Sequence, residues 1–403
     1  MISFEESMEI LRGLDVEPVG VEKLFVTQTL GRFLAQDIVA DSDSPQAPTA
    51  AMDGYAIKAD DQKLGRHRVV AETPAGSEAQ RAVQKGEAIK TFTGSLMPKG
   101  ADTLIPIENV EVAADEIVVK EPVPKGFSVR PVGENYSAGE VLIQKGSRIG
   151  FAEIGVMASL NIVSPKVYQR PRVAILATGS EVLEIGESQK SSAQIRSSNN
   201  YTLEALTRLH GAEPVQLGAV RDDRASITHA LREALRSADI VVTTGGVSVG
   251  DYDFVKDVVR DELGAEVAFK GVRIKPGQHV MVARRGEKFI VALPGFAYSS
   301  TVTFMLYVLP LIYRMQGGDY QPKMVYATLK EPFRKKSAKT EFTPCNLRIE
   351  DGEFFVDFAG NREGSSAILT NMLGSDTALV VTGPDEGNKE IGERVLVWLI
   401  NQI

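Results

Sequence analysis

Two carboxylates follow a glycine pair at the end of an apolar run in residues 238–254. The run Ile240-Val241-Val242 leads into Thr243-Thr244-Gly245-Gly246, and Asp251 and Asp253 come a few residues later. Because glycine has no Cβ, its backbone can adopt positive φ and bring N–H groups close to an anion. Carboxylates suit a divalent cation that bridges to phosphate. The segment therefore predicts a strand that ends in a phosphate-binding loop, with a purely structural turn as the alternative.

Other loops with related chemistry follow neighbouring strand-like runs. They are Thr178-Gly179-Ser180-Glu181, Asp222-Asp223, Lys275-Pro276-Gly277 and Pro294-Gly295. Parallel strands place such loops at one edge of a sheet, so we expect them to share one crevice. The glycines and Lys275 suit an anion, whereas Glu181, Asp222, Asp251 and Asp253 suit Mg²⁺. The alternative for each acid is a helix cap, as for Asp223 before a predicted helix.

Composition restricts the class of protein. The chain has 403 residues, of which 43% are hydrophobic and 24% charged, so we expect a globular protein of several domains. A net charge of -8 argues against a general nucleic-acid surface. The single cysteine, Cys345, excludes an intramolecular disulfide and a cysteine zinc site. Residues 1–14 lack the pattern of a signal peptide and no apolar run is long enough for a membrane span. We therefore expect a cytoplasmic protein that binds neither nucleic acid nor membrane.

The periodicity predicts the elements that must position the loops. Ser3 and Glu6 are spaced as a capping box for a short helix. Short strand-like runs in residues 47–137 predict a small β domain. From about residue 167, strands alternate with helices, one of them expected in residues 253–264, which predicts a mostly parallel sheet covered on both faces. The alternating runs after about residue 318 predict a second small β domain.

Motifs along nearly the whole chain follow the order found in one enzyme family. They are Ala51-Met52-Asp53-Gly54-Tyr55-Ala56, Thr93-Gly94, Arg130 with Gly133-Glu134, Ala177-Thr178-Gly179-Ser180-Glu181, Arg221-Asp222-Asp223, Gly245-Gly246-Val247-Ser248-Val249-Gly250-Asp251-Tyr252-Asp253, Lys275-Pro276-Gly277, Leu293-Pro294-Gly295 and Gly364-Ser365. With these motifs the chain resembles the molybdopterin molybdenumtransferases, the family of MoeA and the gephyrin E domain. Any one motif is weak evidence, whereas the ordered set is specific.

The resemblance implies a multidomain α/β plus β fold. It comprises a MogA-like α/β molybdopterin-binding domain, an inserted β domain, a discontinuous helical and extended domain, and a C-terminal β-barrel. The expected boundaries are 1–46 with 138–166 for the discontinuous domain, 47–137 for the inserted domain, 167–317 for the α/β domain and 318–403 for the barrel. The resemblance also implies an elongated homodimer, in which the inserted domain of one subunit faces the α/β domain of the other.

The implied reaction belongs to molybdenum cofactor biosynthesis. The family inserts molybdate into adenylylated molybdopterin and releases AMP, with Mg²⁺ assisting and an upstream adenylyltransferase as a possible partner. The implied catalytic residues are Asp53, Glu181, Asp222, Asp253 and Lys275. The implied metal ligands are Glu181, Asp251 and Asp253. The implied residues for binding the pterin nucleotide and molybdate are Thr93, Arg130, Thr178, Gly179, Ser180, Gly245, Gly246, Ser248, Gly250, Pro294, Gly295, Ser299 and Ser365.

Four motifs depart from the family pattern. The motif K-P-G-K-P continues here as Gln278-His279, P-G-N-P-V-S contains Phe296-Ala297-Tyr298, R-x-x-G-E-D has Asn135, and E-F-x-R has Pro344. Two cations and an acid are therefore missing from the side of the site that handles the anion. Two alternatives to the transferase follow: a non-catalytic paralogue that binds a pterin nucleotide or a protein partner as a scaffold, and an enzyme for another nucleotide-linked substrate, such as a pyrophosphatase.

Overall fold

A computed structural model describes residues 1–77, 79–246, 254–362 and 369–401. Five predicted site residues lie outside these ranges: Ser248, Gly250, Asp251, Asp253 and Ser365. The chain forms two compact units. The larger unit comprises Met1–Gln36, Gly146–Ile154 and Ser164–Ile403, and the smaller comprises Asp37–Lys145 and Gly155–Val163. Within the described ranges, no helix has the length and apolar character needed to cross a membrane.

The α-helices of the described residues are α1 (Phe4–Gly13), α2 (Phe151–Ser159), α3 (Ser198–Leu209), α4 (Arg224–Ser237), α5 (Phe254–Asp257), α6 (Ala297–Tyr307) and α7 (Leu309–Met315). Short 3₁₀ helices cover Val26–Thr29, Ala59–Leu64, Ile107–Asn109 and Leu369–Met372. The strands before residue 170 are β1 (Val21–Lys23), β2 (Ile38–Val39), β3 (Thr49–Ala50), β4 (Gly54–Ile57), β5 (Arg66–Thr73), β6 (Glu87–Thr91), β7 (Thr103–Pro106), β8 (Val110–Ala113), β9 (Glu116–Val119), β10 (Val129–Arg130), β11 (Val141–Ile143) and β12 (Lys166–Tyr168). The later strands are β13 (Arg172–Thr178), β14 (Val182–Leu183), β15 (Ile195–Arg196), β16 (Glu213–Val220), β17 (Ile240–Thr244), β18 (Glu266–Lys270), β19 (Ile274–Lys275), β20 (Met281–Arg285), β21 (Lys288–Leu293), β22 (Met324–Leu329), β23 (Thr340–Glu350), β24 (Glu353–Asp357), β25 (Thr377–Thr382) and β26 (Arg394–Trp398).

The expected mostly parallel sheet lies in the larger unit. Its strand order is β16-β13-β17-β21-β20-β18. The first four strands are parallel, β20 pairs antiparallel with β21, and β18 pairs antiparallel with β20. Along β17, Ile240 and Val242 pack into one core cluster and Val241 packs into another. Both faces of this strand are therefore buried, which explains its unbroken apolar run.

The C-terminal strands form the expected barrel. Strands β23, β24, β22, β26 and β25 pair in that order, and β25 closes the ring on β23. Strand β19, from the segment between two strands of the α/β sheet, joins the ring by parallel pairing with β23. The core of the barrel includes Cys345, Val356 and Val380. The long strand β23 was not predicted from the pattern because Pro344 interrupts its polar and apolar alternation.

The smaller unit contains the predicted β structure within residues 47–137. Its main sheet has the order β7-β4-β6-β5-β9-β8. The strand-like runs of the sequence, HRVVAE, EAIKTF, DTLIPI and EIVVK, coincide with β5, β6, β7 and β9. Tyr55, Ile57, Ile105 and Ile117 are buried together and form the core of the sheet. The four exact domain boundaries expected from the resemblance stay a prediction.

The N-terminal helix begins with the predicted capping box. Ser3 Oγ accepts a hydrogen bond from the backbone N–H of Glu6 at 3.0 Å, and Glu6 Oε2 accepts one from the backbone N–H of Ser3 at 2.7 Å. The buried face of α1 carries Leu11, which belongs to the core cluster on one face of the α/β sheet. The hydroxyl of Ser7 lies 2.9 Å from the hydroxyl of Tyr307 on α6. Helix α1 therefore packs on the α/β core.

The structure differs from the prediction of one continuous helix in residues 253–264. Within residues 254–264, only α5 is α-helical, and Val258–Glu262 forms a π-helix. The backbone N–H of Leu263 donates to the carbonyl of Val258, five residues earlier, at 3.0 Å. Val258, Val259 and Leu263 are all buried in the same cluster. The wider turn lets residues five apart pack on one face, which an α-helical spacing would not do.

Candidate functional site

A cavity of about 700 Å³ is lined by residues at and just after the carboxyl ends of β13, β17 and β21. Seven of the predicted site residues line it: Thr178, Glu181, Asp222, Gly245, Gly246, Pro294 and Gly295. These residues come from four separate loops, which the sheet brings together as predicted. Gly179 and Ser180 follow Thr178 in the same loop, and Ser180 is exposed. The carboxyl edge of a parallel sheet is the usual location of a ligand site in α/β folds.

The glycine pair after β17 has the geometry expected of a close approach. Gly245 has φ +91° and Gly246 has φ +64°. A Cβ at position 245 would lie 2.8 Å from the carbonyl oxygen of Thr178, and a Cβ at position 246 would lie 2.7 Å from Cγ2 of Val255. Side chains are therefore excluded from both positions, and the backbone borders the cavity directly.

The adjacent aspartates after β16 have different roles. Asp223 caps α4: its carboxylate accepts from the backbone N–H of Ser226 at 2.8 Å and from the hydroxyl of Ser226 at 2.7 Å. The backbone hydrogen bond, followed by the hydroxyl bond, lowers the pKa of Asp223. Asp222 instead lines the cavity. The capping alternative is thus correct for Asp223, which leaves Asp222 and Glu181 as the acidic side chains of the cavity wall among the described residues.

Lys275 is paired with an acid of the barrel. Its Nζ lies 3.6 Å from Oε1 of Glu341, a side chain that is only 4% exposed. The hydroxyl of Ser337 donates to the same carboxylate at 2.6 Å. Lys275 is not among the residues that line the cavity. Ser299, another predicted site residue, is buried in α6.

The predicted site residues of the smaller unit form two local networks. Asp53 Oδ1 accepts from the backbone N–H of Thr93 at 2.8 Å and from its hydroxyl at 2.7 Å. These bonds, the backbone one first, lower the pKa of Asp53. Arg130 forms an ion pair with Glu134 and donates from Nη2 to Oδ1 of Asn135 at 2.7 Å.

The asparagine at position 135 has two hydrogen-bonding functions in this network. While its oxygen accepts from Arg130, its Nδ2 donates to the hydroxyl of Ser44 at 3.0 Å. An aspartate at this position could only accept when ionised. The departure at Asn135 therefore keeps a hydrogen-bond acceptor for Arg130 and adds a donor.

Several residues of the cavity wall were not predicted as functional: Arg196, Ser197, Asn199, His279 and Phe296. Asn199 donates from Nδ2 to the carbonyl of Gly295 at 2.7 Å, which connects two loops of the cavity. Within the described ranges, Ser197 Oγ and Asn199 Oδ1 are buried without hydrogen-bond partners. Ser197 precedes α3 without making a side-chain capping bond. The run Ser197-Ser198-Asn199-Asn200 was a signal in the sequence, but it is also what an ordinary helix start looks like.

The cavity offers a partial set of oxygen donors for a metal ion. Glu181 and Asp222 contribute carboxylates, the ligand type that Mg²⁺ prefers. Across the described part of the chain, no group of three or more histidine, cysteine, aspartate or glutamate residues is arranged to hold a metal ion. Asp251 and Asp253 lie outside that part.

Comparison with known proteins matches almost the whole chain to one family. Residues 2–161 match the model "MoeA N-terminal region (domain I and II)", residues 174–314 match "Probable molybdopterin binding domain", and residues 326–400 match "MoeA C-terminal region (domain IV)". A molybdopterin molybdenumtransferase of Nostoc sp. is 32% identical over 378 residues, which cover 91% of this chain and 86% of that protein. The chain belongs to the molybdopterin molybdenumtransferase family.

Two further relatives agree with this assignment. A molybdopterin molybdenumtransferase of Staphylococcus epidermidis is 30% identical over 396 residues, which cover 96% of this chain and 93% of that protein. A crystal structure of the molybdopterin biosynthesis moeA protein from Pyrococcus horikoshii OT3 superimposes with a TM-score of 0.84 at 29% identity, covering 99% of this chain and 100% of the other. The resemblance stated from the motifs and the multidomain α/β plus β fold are confirmed.

Because the chain belongs to the transferase family, we take the cavity as its candidate functional site. It lies within the region that matches the molybdopterin-binding model. The acids, the glycine pair and the proline-glycine turn that line it are all part of the motifs that define the resemblance.

Proposed function

We propose that this chain inserts molybdate into adenylylated molybdopterin and releases AMP and molybdenum cofactor. The observation that carries the proposal is the cavity at the carboxyl edge of the α/β sheet, where a glycine backbone and two carboxylates converge. Backbone N–H groups near glycines of positive φ bind phosphate oxygens. Molybdate and adenylylated molybdopterin are the substrates, and both are anionic.

We assign each group of residues a role from its chemistry. The backbone N–H of Gly245 donates to the carbonyl of Leu293 at 3.1 Å, so the phosphate of the nucleotide is assigned to the backbone of Gly246. Asn199 fixes the neighbouring loop of Gly295 by its hydrogen bond to the Gly295 carbonyl. Glu181 and Asp222, together with Asp251 and Asp253, are proposed to hold Mg²⁺. When bound, Mg²⁺ would neutralise charge on the phosphates and so ease release of AMP.

Lys275 is proposed to attract the molybdate dianion. Its pairing with Glu341 fixes the ammonium in place, since the carboxylate is buried and also held by Ser337. The pairing also lowers the net positive charge at this position, so molybdate has to compete with a carboxylate for the ammonium.

We further propose a cytoplasmic homodimer that receives its substrate from an adenylyltransferase. In this arrangement Asp53, Thr93 and Arg130 of one copy serve the site of the other copy. The family resemblance implies this arrangement. The side chains are held within their own copy, Asp53 by Thr93 and Arg130 by Glu134 and Asn135. Sedimentation at micromolar concentration tests the dimer, and a monomer would contradict it.

The test of function is AMP release from adenylylated molybdopterin with purified protein and Mg²⁺, with and without molybdate. Release that requires molybdate supports the transferase. Release without molybdate would indicate a pyrophosphate-cleaving enzyme, and tight pterin binding without release would indicate a scaffold.

A matched pair of variants tests the site itself. Asp222→Asn should lower turnover by at least about tenfold, because it removes a charge from the cavity wall. Asp223→Asn should leave turnover unchanged, because asparagine caps a helix as well as aspartate does. If Asp222→Asn turned over as fast as Asp223→Asn, Asp222 would have no role in the site.

A further inference from the structure

The start of α3 forms one part of the cavity wall, next to the glycine pair. Residues 196–199 all line the cavity. Asn199 Nδ2 donates to the carbonyl of Gly295 at 2.7 Å. A Cβ at position 295 would lie 3.6 Å from Cα of Gly245, so the turn that Asn199 holds lies against the glycine pair. The start of α3 and the glycine pair are therefore neighbouring parts of one wall.

The hydroxyl of Ser197 is buried at this wall without a partner among the described residues. The residue is 4% exposed, and its Oγ makes no hydrogen bond within the described ranges. Ser197 occupies the N-cap of α3, yet its side chain does not cap the helix. A buried polar atom without a partner is uncommon in a native protein, and one that faces a cavity points to a bound group. The first N–H groups of this twelve-residue helix also favour an anion.

Arg196 gives the same part of the wall a positive charge. Of the described residues that line the cavity, it is the only lysine or arginine. Its Nη1 donates to the backbone carbonyl of Glu184 at 2.9 Å, which holds the guanidinium without neutralising its charge. The carboxylate of Glu184 instead accepts from the hydroxyl of Tyr201 at 2.8 Å. Because a guanidinium has five N–H donors, further donors remain for the oxygens of a phosphate.

We propose that the start of α3 is a second phosphate position of the cavity, at which Ser197 and Arg196 donate hydrogen bonds to one phosphate while the backbone of Gly246 binds the other. This inference rests on the proposed function, in which the bound substrate is a nucleotide. It adds that the cavity binds two linked phosphates, so the ligand class is a pyrophosphate ester of a nucleoside. Ser197 and Arg196 then select a diphosphate over a monophosphate.

Calorimetry with AMP and ADP, at one Mg²⁺ concentration, tests the second position. Ser197→Ala and Arg196→Gln should each weaken ADP binding by roughly tenfold, the loss expected for one hydrogen bond to a charged group. Both variants should affect AMP binding far less, because its single phosphate stays with Gly246. Each variant is compared with the unmodified protein for the same ligand, so the effect of Mg²⁺ on the ligand itself cancels. Equal losses for AMP and ADP would overturn the proposal.

Arg208→Gln is the matched control for the charge of Arg196. Arg208 lies near the other end of α3, where its exposed side chain pairs with Glu204. The variant removes one positive charge from the same helix and should bind ADP as the unmodified protein does. If Arg208→Gln weakened ADP binding as much as Arg196→Gln does, net charge would explain the effect and the proposal would be overturned.

Urea unfolding of the protein without ligand separates a binding role of Ser197 from a structural one. Because its hydroxyl has no partner among the described residues, Ser197→Ala should leave the unfolding midpoint unchanged or raise it. A hydroxyl that supports the fold would give a lower midpoint in the variant, and that result would overturn the binding role. Circular dichroism follows the unfolding of the helices.

These measurements are distinguishable from the test of the proposed function. Molybdate-dependent AMP release, with ADP binding unchanged in Ser197→Ala and Arg196→Gln, would overturn the second phosphate position and leave the transferase standing. A selective loss of ADP binding in these variants, without AMP release by the unmodified protein, would support the second position and contradict the transferase. An unmodified protein that binds neither nucleotide would overturn both.

Discussion

Lys275 Nζ lies 3.6 Å from Glu341 Oε1, so a lysine expected to bind an anion is held by a carboxylate of the barrel. Glu341→Gln removes the negative partner of this ion pair and weakens the hydrogen bond from Ser337. Because the carboxylate is buried, we expect the free energy of unfolding to fall by about 1–3 kcal/mol. Urea unfolding followed by Trp398 fluorescence measures the change, because Trp398 lies in β26 of the same barrel.

Glu350→Gln is the matched control for this variant. Glu350 is also in β23 and pairs with Lys330, but both side chains are well exposed, at 46% and 38%. An exposed pair contributes at most about 1 kcal/mol. If the two variants were equally stable, the buried carboxylate would have no special role in fixing Lys275.

Gly246→Ala should damage the cavity more than its backbone strain alone explains. The residue has φ +64°, which costs a non-glycine residue roughly 1–2 kcal/mol. Its Cβ would also lie 2.7 Å from Val255 Cγ2. Gly286 has nearly the same φ, +62°, and open space around it, so Gly286→Ala measures the strain alone. We expect Gly246→Ala to lose more stability and to bind AMP more weakly, and equal losses would show that no close packing occurs there.

Thr93→Val should raise the pKa of Asp53 toward its ordinary value. The backbone N–H of Thr93 would still donate to Asp53, but the hydroxyl bond at 2.7 Å would be lost. Because the folded-state pKa of Asp53 is lowered, its contribution to stability is present above pH 3.8 and is lost as the pH falls below that value. NMR titration of the Asp53 carboxyl carbon measures the shift. A Thr93→Ser variant keeps the hydroxyl and should titrate like the unmodified protein.

His210 should make the larger unit sensitive to acid. Burial, with a smaller effect of Arg148, lowers the pKa of His210 from 6.5 to about 4. The unfolded chain therefore takes up a proton before the folded chain does, so stability is full above pH 6.5 and is lost as the pH falls toward 4. A shift of this size corresponds to about 3 kcal/mol. His210→Phe should flatten this part of the pH–stability curve measured by Trp398 fluorescence, whereas a variant of the exposed His229 should not.

Cys345 should be unreactive in the folded protein. Its side chain is buried in the barrel core, and burial raises the pKa of the thiol to about 12. A thiolate is the reactive form, so a disulfide reagent should label Cys345 only when the barrel opens. The labelling rate should increase in urea together with the loss of Trp398 fluorescence. Rapid labelling of the native protein would show that the ring of strands opens readily.

The elements around the cavity were predictable because their signals are local. The buried run of β17, the cap of α4 and the glycine pair can each be recognised from a few consecutive residues. The position of Asp222 in the cavity wall could not be decided in the same way. A helix cap was an open alternative for each acid, and only the folded structure shows that Asp223 caps α4 while Asp222 lines the cavity.

The contacts between the α/β domain and the barrel could not be predicted from the sequence, for a different reason. The residues that contact Lys275 and Gln278 are Glu341 and Lys339, about sixty positions away along the chain. Glu341 lies at the start of β23 and Lys339 just before it, and β23 was not predicted because Pro344 interrupts its pattern. From the sequence alone, the missing cations at positions 278 and 344 therefore indicated weaker binding of the anion. The structure shows Lys339 beside Gln278, and Pro344 is buried in β23.

The parallel pairing of β19 with β23 limits how this protein can be recombined. Ile274 is opposite Thr340 and Lys275 is opposite Glu341, so the barrel is joined to its neighbour by backbone hydrogen bonds in addition to the covalent chain. A chimaera that took residues 318–403 from a relative would place a foreign strand against Ile274-Lys275. Such an exchange would require both partners of the pairing to be transplanted together, whatever the length of the linker between them.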